Sequence, residues 1–205
     1  MNLVLHNYVR STAAYRVRIA LNYKDIAAVV SDVDLLKGEQ TQAQYTDKNP
    51  QGLVPALETP QGVLAQSLAI IEWLDEAYPE TPKLLPGDAW QRAQIRSLSY
   101  AIACDMHPLN NLRVLKYLTG QLGQPEPVKT QWYHHWLAQG FQKIESTLSE
   151  SHYCIGETLT MADLCLIPQL FNARRFEFDL TPYPKITAIE KHCLGLTCFK
   201  NAKPA

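Results

Sequence analysis

A run of twelve residues, Arg10 to Leu21, begins with side chains that could stabilise an anion. It follows a short apolar segment, Leu3 to Leu5, that predicts a buried strand, and its own pattern predicts the start and body of a helix. Ser11 and Thr12 stand where the helix cap is expected, with Arg10 beside them. Hydroxyl groups, free backbone N–H groups and the helix dipole would stabilise a thiolate or another anion there. Helix capping without any ligand is the alternative.

The N-terminal part of the chain alternates predicted strands and helices, and we place a small α/β domain at residues 1–79. The strand order predicts one parallel pair and one antiparallel hairpin, the latter closed by a turn at Pro60-Gln61-Gly62. Ser67 is expected to cap the helix that follows, whose apolar residues recur at helical spacing until Pro79. The predicted strands are residues 3–5, 28–33, 53–58 and 62–65.

The three prolines Pro79, Pro82 and Pro86 would stop either neighbouring helix, so we place a linker at residues 80–87. No strand pattern recurs beyond it, and residues 88–205 are expected to form an all-helical domain. Thr160 and Asp163 are spaced as a capping box in front of an apolar run. The long helical segments are expected near residues 90–118, 128–149, 160–174 and 184–194.

The composition is that of a globular protein with a near-neutral charge. The chain has 205 residues, 46% of them hydrophobic, and a formal net charge of -1, which argues against binding to nucleic acid through bulk charge. No stretch approaches the ~20 apolar residues that a membrane span needs, so a cytoplasmic protein that does not bind membranes is expected. The five cysteines have no metal or redox spacing, so we expect no metal site and five buried free thiols.

Six ordered segments, which extend over nearly the whole chain, resemble those of the zeta-class glutathione transferases. This class includes maleylacetoacetate isomerase and bacterial maleylpyruvate isomerase. Its first helix usually opens with Ser-Ser-Cys, whereas Thr12 and Ala13 occupy the second and third positions here, so the chain lacks that thiol. The segments are RSTAAYRVRIAL at 10–21, NPQGLVP at 49–55, QSLAIIEWL at 66–74, HPLNNLRVL at 107–115, TMADLCL at 160–166 and NARRFEFDLTPYP at 172–184.

The resemblance implies a glutathione transferase fold, with a thioredoxin-like domain before the helical one, and it implies glutathione as the cofactor. Ser11 would donate its hydroxyl to the glutathione sulfur and favour the thiolate. Val54 would pair with the cysteinyl backbone ahead of a cis Pro55, and Gln66 and Ser67 would bind the γ-glutamyl end. The resemblance implies these glutathione contacts: Ser11, Thr12, Ala13, Gln40, Val54, Pro55, Gln66, Ser67, His107, Asn111 and Arg113. A solvated loop position is the alternative for Gln40.

A dianionic keto acid with a cis double bond would need cationic partners. A guanidinium group can hold a carboxylate through two hydrogen bonds and can stabilise charge that develops during the reaction. Arg10, Arg113 and Arg175 are the candidates, with Arg10 also placed at the catalytic position beside Ser11. A solvated or salt-bridged surface position is the alternative for each of these three arginines, and also the interpretation for Arg174 next to Arg175. Arg16 and Arg18, in the body of the first helix, are assigned to structure.

The activity implied by the resemblance is cis–trans isomerisation in which the glutathione thiolate adds to the double bond, rotation follows, and the thiolate leaves again. Conversion of maleylacetoacetate to fumarylacetoacetate and isomerisation of maleylpyruvate both remain open, and Ala13, Arg10 and Arg113 fit the latter. A transferase that conjugates glutathione to small electrophiles such as α-halo acids is a further alternative, as is a binding module without catalysis. The resemblance also implies a homodimer.

Overall fold

The computed structural model describes residues 3–204, and the chain divides into two compact units. The first unit contains the described residues up to Pro86 together with those from Leu194 onward, and the second contains Gly87–Cys193.

The first unit is built on a four-stranded mixed sheet with the strand order β2-β1-β3-β4. Strand β1 runs parallel to β2 and antiparallel to β3, and β3 forms a hairpin with β4, so the predicted parallel pair and hairpin are confirmed. The predicted third strand is shorter than expected, because the residues before Ala56 form a loop with a cis Val54–Pro55 bond. The elements are β1 (Leu3–Asn7), α1 (Thr12–Tyr23), β2 (Ala28–Asp32), α2 (Ala43–Thr46), β3 (Ala56–Thr59), β4 (Gly62–Ala65) and α3 (Ser67–Ala77).

The sheet register places three loops at the same end of the sheet. Ala56, the first residue of β3, lies opposite His6 near the end of β1 and opposite Ala65 at the end of β4. The loop from β1 into α1, the loop ahead of β3 and the connection from β4 to α3 therefore leave the sheet side by side. A candidate site assembled from these loops is fixed by strand pairing rather than by proximity in sequence.

The segment predicted as a linker is bonded to the first unit as far as Pro86. The Asp75 carboxylate accepts hydrogen bonds from the backbone N–H groups of Leu84 and Leu85, both of which are buried. The Lys24 ammonium pairs with Asp75 at 2.7 Å and also donates to the Pro82 carbonyl. The prolines prevent a helix here as expected, but the chain folds back on α1 and α3 instead of standing free.

The C-terminal tail differs from the expected domain division, in which residues 88–205 stay together. A short helix, α9 (Thr197–Ala202), packs on α1 in the first unit. Arg18 and Asn22 of α1 donate to the carbonyls of Ala202 and Cys198 at 3.0 and 3.2 Å, and Phe199 is fully buried. The sequence pattern did not reveal this arrangement, because the contacts join residues that are about 180 positions apart.

The second unit is helical, but the long helix predicted near residues 90–118 is interrupted. Pro108, which lacks a backbone N–H, is the second residue of a 3₁₀ turn, and the Asn111 side chain caps a new helix by accepting from Arg113 N at 3.1 Å. No helix of the described residues is long and apolar enough to span a membrane. The elements are α4 (Ala89–Tyr100), a π-helical segment (Ala101–Met106), the 3₁₀ turn (His107–Asn110), α5 (Leu112–Lys116), a second π-helical segment (Tyr117–Gln121), α6 (Glu126–Thr147), α7 (Met161–Arg175) and α8 (Pro184–Cys193).

The predicted capping box at the start of α7 is confirmed. The buried Asp163 carboxylate accepts from the backbone N–H and the hydroxyl of Thr160, and also from Cys154 N. Burial raises the pKa of Asp163, while these hydrogen bonds oppose that shift.

The five cysteines are free thiols, but Cys104 is exposed, so the expectation that all five are buried was wrong for that residue. Cys104 lies in the π-helical segment, which the helical pattern did not anticipate.

Candidate functional site

Ser11 is the N-cap of α1, as predicted, and its oxygen accepts a hydrogen bond from Ala14 N at 3.1 Å. A serine hydroxyl has two lone pairs and one proton, so this cap leaves the proton available for another acceptor. Capping and donation to a ligand are therefore compatible. Thr12 is buried in the first turn, Ala13 is partly buried and carries no polar group, and Arg10 is exposed beside them.

Arg18 holds the backbone of the loop that leads to Ser11. Its guanidinium donates to the Val9 carbonyl at 3.1 Å and to Asn7 Oδ1 at 2.5 Å, and burial lowers its pKa. The predicted structural role of Arg18 is confirmed by these bonds. Because Val9 directly precedes Arg10, Arg18 also fixes the backbone from which the Arg10 side chain leaves.

The loop ahead of β3 contains the predicted cis Val54–Pro55 bond. The Leu53 carbonyl, which belongs to the same peptide group as the Val54 N–H, accepts from Tyr45 Oη at 2.5 Å and from Asn49 Nδ2 at 2.7 Å. Two donors on one carbonyl fix the plane of that peptide group. Neither Tyr45 nor Asn49 is marked as a site residue by the sequence pattern, although Asn49 opens the NPQGLVP segment.

Tyr45→Phe is expected to weaken glutathione binding by about threefold to tenfold, because it removes one of the two donors that hold the Leu53–Val54 peptide group. The ring should keep its edge contact with His6, whose ring centre is 5.5 Å away. Isothermal titration calorimetry with glutathione measures the change. Asn49→Ala serves as the companion variant, and unaltered binding in the double variant would show that this peptide group needs no fixing.

Gln66 and Ser67 lie at the junction of β4 and α3. Gln66 is the N-cap, at a φ of 73°, and its amide donates to Gln51 Oε1 at 2.7 Å. Ser67 does not cap the helix, contrary to the prediction; it is the first helical residue, and its oxygen accepts from Arg16 Nη1 at 3.2 Å. The positive φ of Gln66 moves the cap one position earlier than the hydroxyl pattern suggests.

Gln40 lies in the 3₁₀ turn Glu39–Thr41. Its side-chain oxygen is buried and has no hydrogen-bond partner among the described residues. A buried acceptor of this kind is expected to receive a donor. A peptide ligand with N–H groups would supply one, so this residue fits a glutathione-like group.

In the second unit, α6 joins the segments that carry the remaining predicted residues. Trp132 Nε1 donates to the Leu109 carbonyl at 2.8 Å, next to the turn that contains His107 and leads to Asn111. His134 Nε2 lies 2.7 Å from the Phe176 carbonyl, directly after Arg175. Trp132 and His134 are two residues apart, so they project from different sides of α6, and each fixes one of the two segments against this helix.

Arg175 and Arg174, adjacent at the end of α7, have different surroundings. Arg174 Nε donates to Glu190 Oε1 at 3.0 Å and Arg174 Nη2 pairs with Glu190 Oε2, so the salt-bridge alternative for Arg174 is confirmed. Arg175 Nη1 donates to Asn172 Oδ1 at 3.3 Å, and its guanidinium carbon lies 5.8 Å from the centre of the Phe171 ring. Arg175 has no ion pair to a described carboxylate and is exposed, as is Arg113.

The tyrosine that lies beneath the end of α7 stays neutral. Tyr133 stacks on Phe176 with ring centres 3.8 Å apart, and burial raises the pKa of its phenol well above its ordinary value. A neutral ring packed against Phe176 leaves the Arg175 charge uncompensated by this neighbour.

No group of three or more metal-ligating side chains occurs within residues 3–204.

Comparison with known proteins agrees with this architecture. The family models described as glutathione S-transferase, N-terminal domain and C-terminal domain match residues 5–82 and 136–196. A probable maleylacetoacetate isomerase of Vibrio cholerae serotype O1 is 45% identical over 208 residues, which cover 100% of this chain and 96% of the relative.

Two solved structures extend the comparison. The holo structure of a maleylpyruvate isomerase, described as a bacterial zeta-class glutathione S-transferase, has a TM-score of 0.95 and 44% identity, covering 100% of this chain and 97% of that one. A maleylacetoacetate isomerase of Methylobacterium extorquens AM1 with bound malonate and glutathione has a TM-score of 0.93 and 36% identity, and the match covers 98% of this chain and 96% of that one. The chain therefore belongs to the glutathione transferase family, within the zeta-class group of maleylacetoacetate and maleylpyruvate isomerases.

Proposed function

We propose that this protein is a glutathione-dependent isomerase that converts the cis double bond of a maleyl keto acid into the trans form. One observation carries the proposal: strand register places Ser11, the cis Val54–Pro55 bond and the Gln66–Ser67 pair at one end of the sheet, in a chain with full-length isomerase relatives. The main candidate substrate is maleylacetoacetate, as in aromatic amino-acid breakdown, and maleylpyruvate is the alternative.

Residues of the first unit offer glutathione a hydrogen-bond acceptor, a backbone pairing group and a carboxylate site. The buried Gln40 oxygen offers an acceptor, the fixed Val54 peptide group offers backbone pairing, and the start of α3 at Ser67 suits a carboxylate. His107, Asn111 and Arg113 of the second unit are proposed as further glutathione contacts. Thr12 and Ala13 are proposed to contribute their backbone N–H groups at the start of α1.

Bound glutathione supplies a thiolate that adds reversibly to the double bond and is not consumed. Ser11 is proposed to hold the thiolate form, because its proton is left over from the capping bond and it stands at the positive end of the α1 dipole. A cysteine at the position of Ala13 would add a second thiol, and its absence leaves Ser11 as the principal donor. The protein itself needs no redox step for this reaction.

Arg10, Arg113 and Arg175 are proposed to bind the carboxylates of the substrate and to stabilise the negative charge that develops on it. All three are exposed, so their guanidinium groups are accessible to a dianion. Arg175 is oriented by Asn172 and Phe171, which limits the entropy lost when it binds a carboxylate. The Arg10 side chain extends from a loop whose backbone is held by the hydrogen bond from Arg18 to the Val9 carbonyl.

Parallel turnover assays test the function. Maleylacetoacetate, maleylpyruvate and an α-halo acid are each supplied with and without glutathione, and both substrate loss and free thiol are followed. We expect rapid isomerisation of at least one maleyl keto acid only when glutathione is present, with the thiol concentration unchanged. Faster turnover of the α-halo acid, with one thiol lost per product, would instead assign the protein as a conjugating transferase.

We further propose that the protein is a cytoplasmic homodimer. The five cysteines form no disulfide, which suits a reducing compartment. The dimer is proposed from membership of the transferase family, and light scattering on the purified protein at two concentrations measures its mass.

A further inference from the structure

Arg16 brings a cationic side chain into the interior of the first unit, next to Ser67. Arg16 is only 1% exposed and Ser67 only 6%, and the guanidinium Nη1 donates to the Ser67 oxygen at 3.2 Å. Arg16 belongs to α1 and Ser67 opens α3, so this bond joins the two helices whose starts lie at the same end of the sheet. A buried arginine that donates to the first side chain of a helix is an unusual use of a charged residue.

The donor chemistry of arginine determines where the Ser67 proton points. A guanidinium group donates hydrogen bonds and accepts none, whereas a serine hydroxyl can do both. The bond from Arg16 therefore occupies a lone pair of the Ser67 oxygen, and the Ser67 proton must be directed elsewhere. A hydroxyl that accepts from a cation also becomes a stronger donor, because consecutive hydrogen bonds polarise one another.

We propose that Arg16 is a positioning residue that directs the Ser67 hydroxyl toward the carboxylate of the γ-glutamyl end of glutathione. This inference rests on the proposed function, in which Ser67 and the start of α3 bind that carboxylate. Arg16 does not touch the ligand in this account. Arg16 acts through Ser67: the Ser67 oxygen accepts from Arg16 on the protein side, and the Ser67 proton is therefore directed to the ligand.

The experiment compares three ligands that differ only at the γ-glutamyl end. Glutathione has both the amine and the carboxylate, 4-aminobutyryl-Cys-Gly lacks the carboxylate, and glutaryl-Cys-Gly lacks the amine. Calorimetric titration gives the Kd of each ligand for the full-length wild type, Arg16→Gln and Arg16→Lys. Glutamine is neutral and can accept from Ser67, whereas lysine is a donor only, so lysine serves as the conservative control.

Arg16→Gln is expected to weaken the binding of glutathione and glutaryl-Cys-Gly by about tenfold or more, and that of 4-aminobutyryl-Cys-Gly by less than about threefold. Arg16→Lys should recover most of the loss. Equal losses for all three ligands would indicate a structural role only and would overturn the proposal, as would unchanged binding in Arg16→Gln or a loss in Arg16→Lys as large as in Arg16→Gln.

A second variant covers the case in which Arg16→Gln does not fold, which thermal melting followed by circular dichroism reveals. Because Arg16 acts through Ser67, Ser67→Ala must reduce the preference for carboxylate-bearing ligands by about tenfold while Arg16 stays in place; the backbone N–H groups at the start of α3 retain the remainder. A preference in Ser67→Ala that is as large as in the wild type contradicts the proposal. The proposed function fails separately, if the wild type does not bind glutathione at all.

Discussion

Replacing Ser11 by alanine is expected to lower kcat/KM for glutathione-dependent isomerisation by about 100-fold to 1,000-fold, the usual effect of losing one donor to a developing or bound anion. The physical reason is that the Ser11 oxygen is occupied by Ala14 N, so its proton is the group that can reach a sulfur. Ala13 provides no thiol that could take over. Initial rates at saturating glutathione measure the loss.

This experiment must distinguish the role of Ser11 as a helix cap from its role as a hydrogen-bond donor to the glutathione sulfur. Ser11→Ala also removes the capping bond and should cost about 1 kcal/mol of the free energy of unfolding. Ser11→Thr retains both the hydroxyl and the cap, so it should keep a rate within about tenfold of the wild type. A Ser11→Ala protein that is folded and works at the wild-type rate would leave Ser11 with capping as its only role.

Arg175→Ala is expected to lower kcat/KM for the dianionic substrate by roughly 100-fold, because an arginine bound to a carboxylate usually contributes a charge-assisted pair. Arg113→Ala should act in the same direction. For a monoester of the substrate, which lacks one carboxylate, at least one of these variants should lower kcat/KM much less than it does for the dianion. Steady-state kinetics on the acid and the monoester measure the difference, and full activity on the dianion in both variants would exclude the arginine clamp.

The neighbouring Arg174 provides a matched control. Its partner Glu190 is buried, so Arg174→Ala should lower stability by leaving that carboxylate without its ion pair. It should leave kcat/KM per folded protein unchanged. The two adjacent arginines are thus expected to give opposite results: a kinetic defect for Arg175 and a defect in thermal stability for Arg174.

The elements with local signals could be predicted from the sequence. The Ser11 cap, the hairpin around Pro60 and the Thr160–Asp163 capping box depend on residues only a few positions apart, and all three are present in the structure. The interruption after Tyr100 was missed, because the apolar spacing continues through the π-helical segment and only Pro108 marks the break. Short-range patterns define caps and turns better than they define helix continuity.

The parts of the site that could not be predicted depend on contacts between distant residues. The bond from Arg16 to Ser67 spans 51 positions, and the tail bonds to α1 span more than three times that distance. Tyr45 carries no motif that links it to Leu53, and its role follows only from the fold of the loop. The resemblance to a family identified Ser67 as a site residue, whereas its hydrogen-bond partner required the structure.

The most direct test of the central claim is the number of product molecules formed per glutathione molecule. The wild-type protein is supplied with a large excess of maleyl keto acid and a limiting amount of glutathione, and product is followed until the substrate is exhausted. We expect many turnovers per glutathione, with the free thiol fully recovered at the end. A reaction that stops after one product per glutathione, or that proceeds equally well without it, would contradict the account.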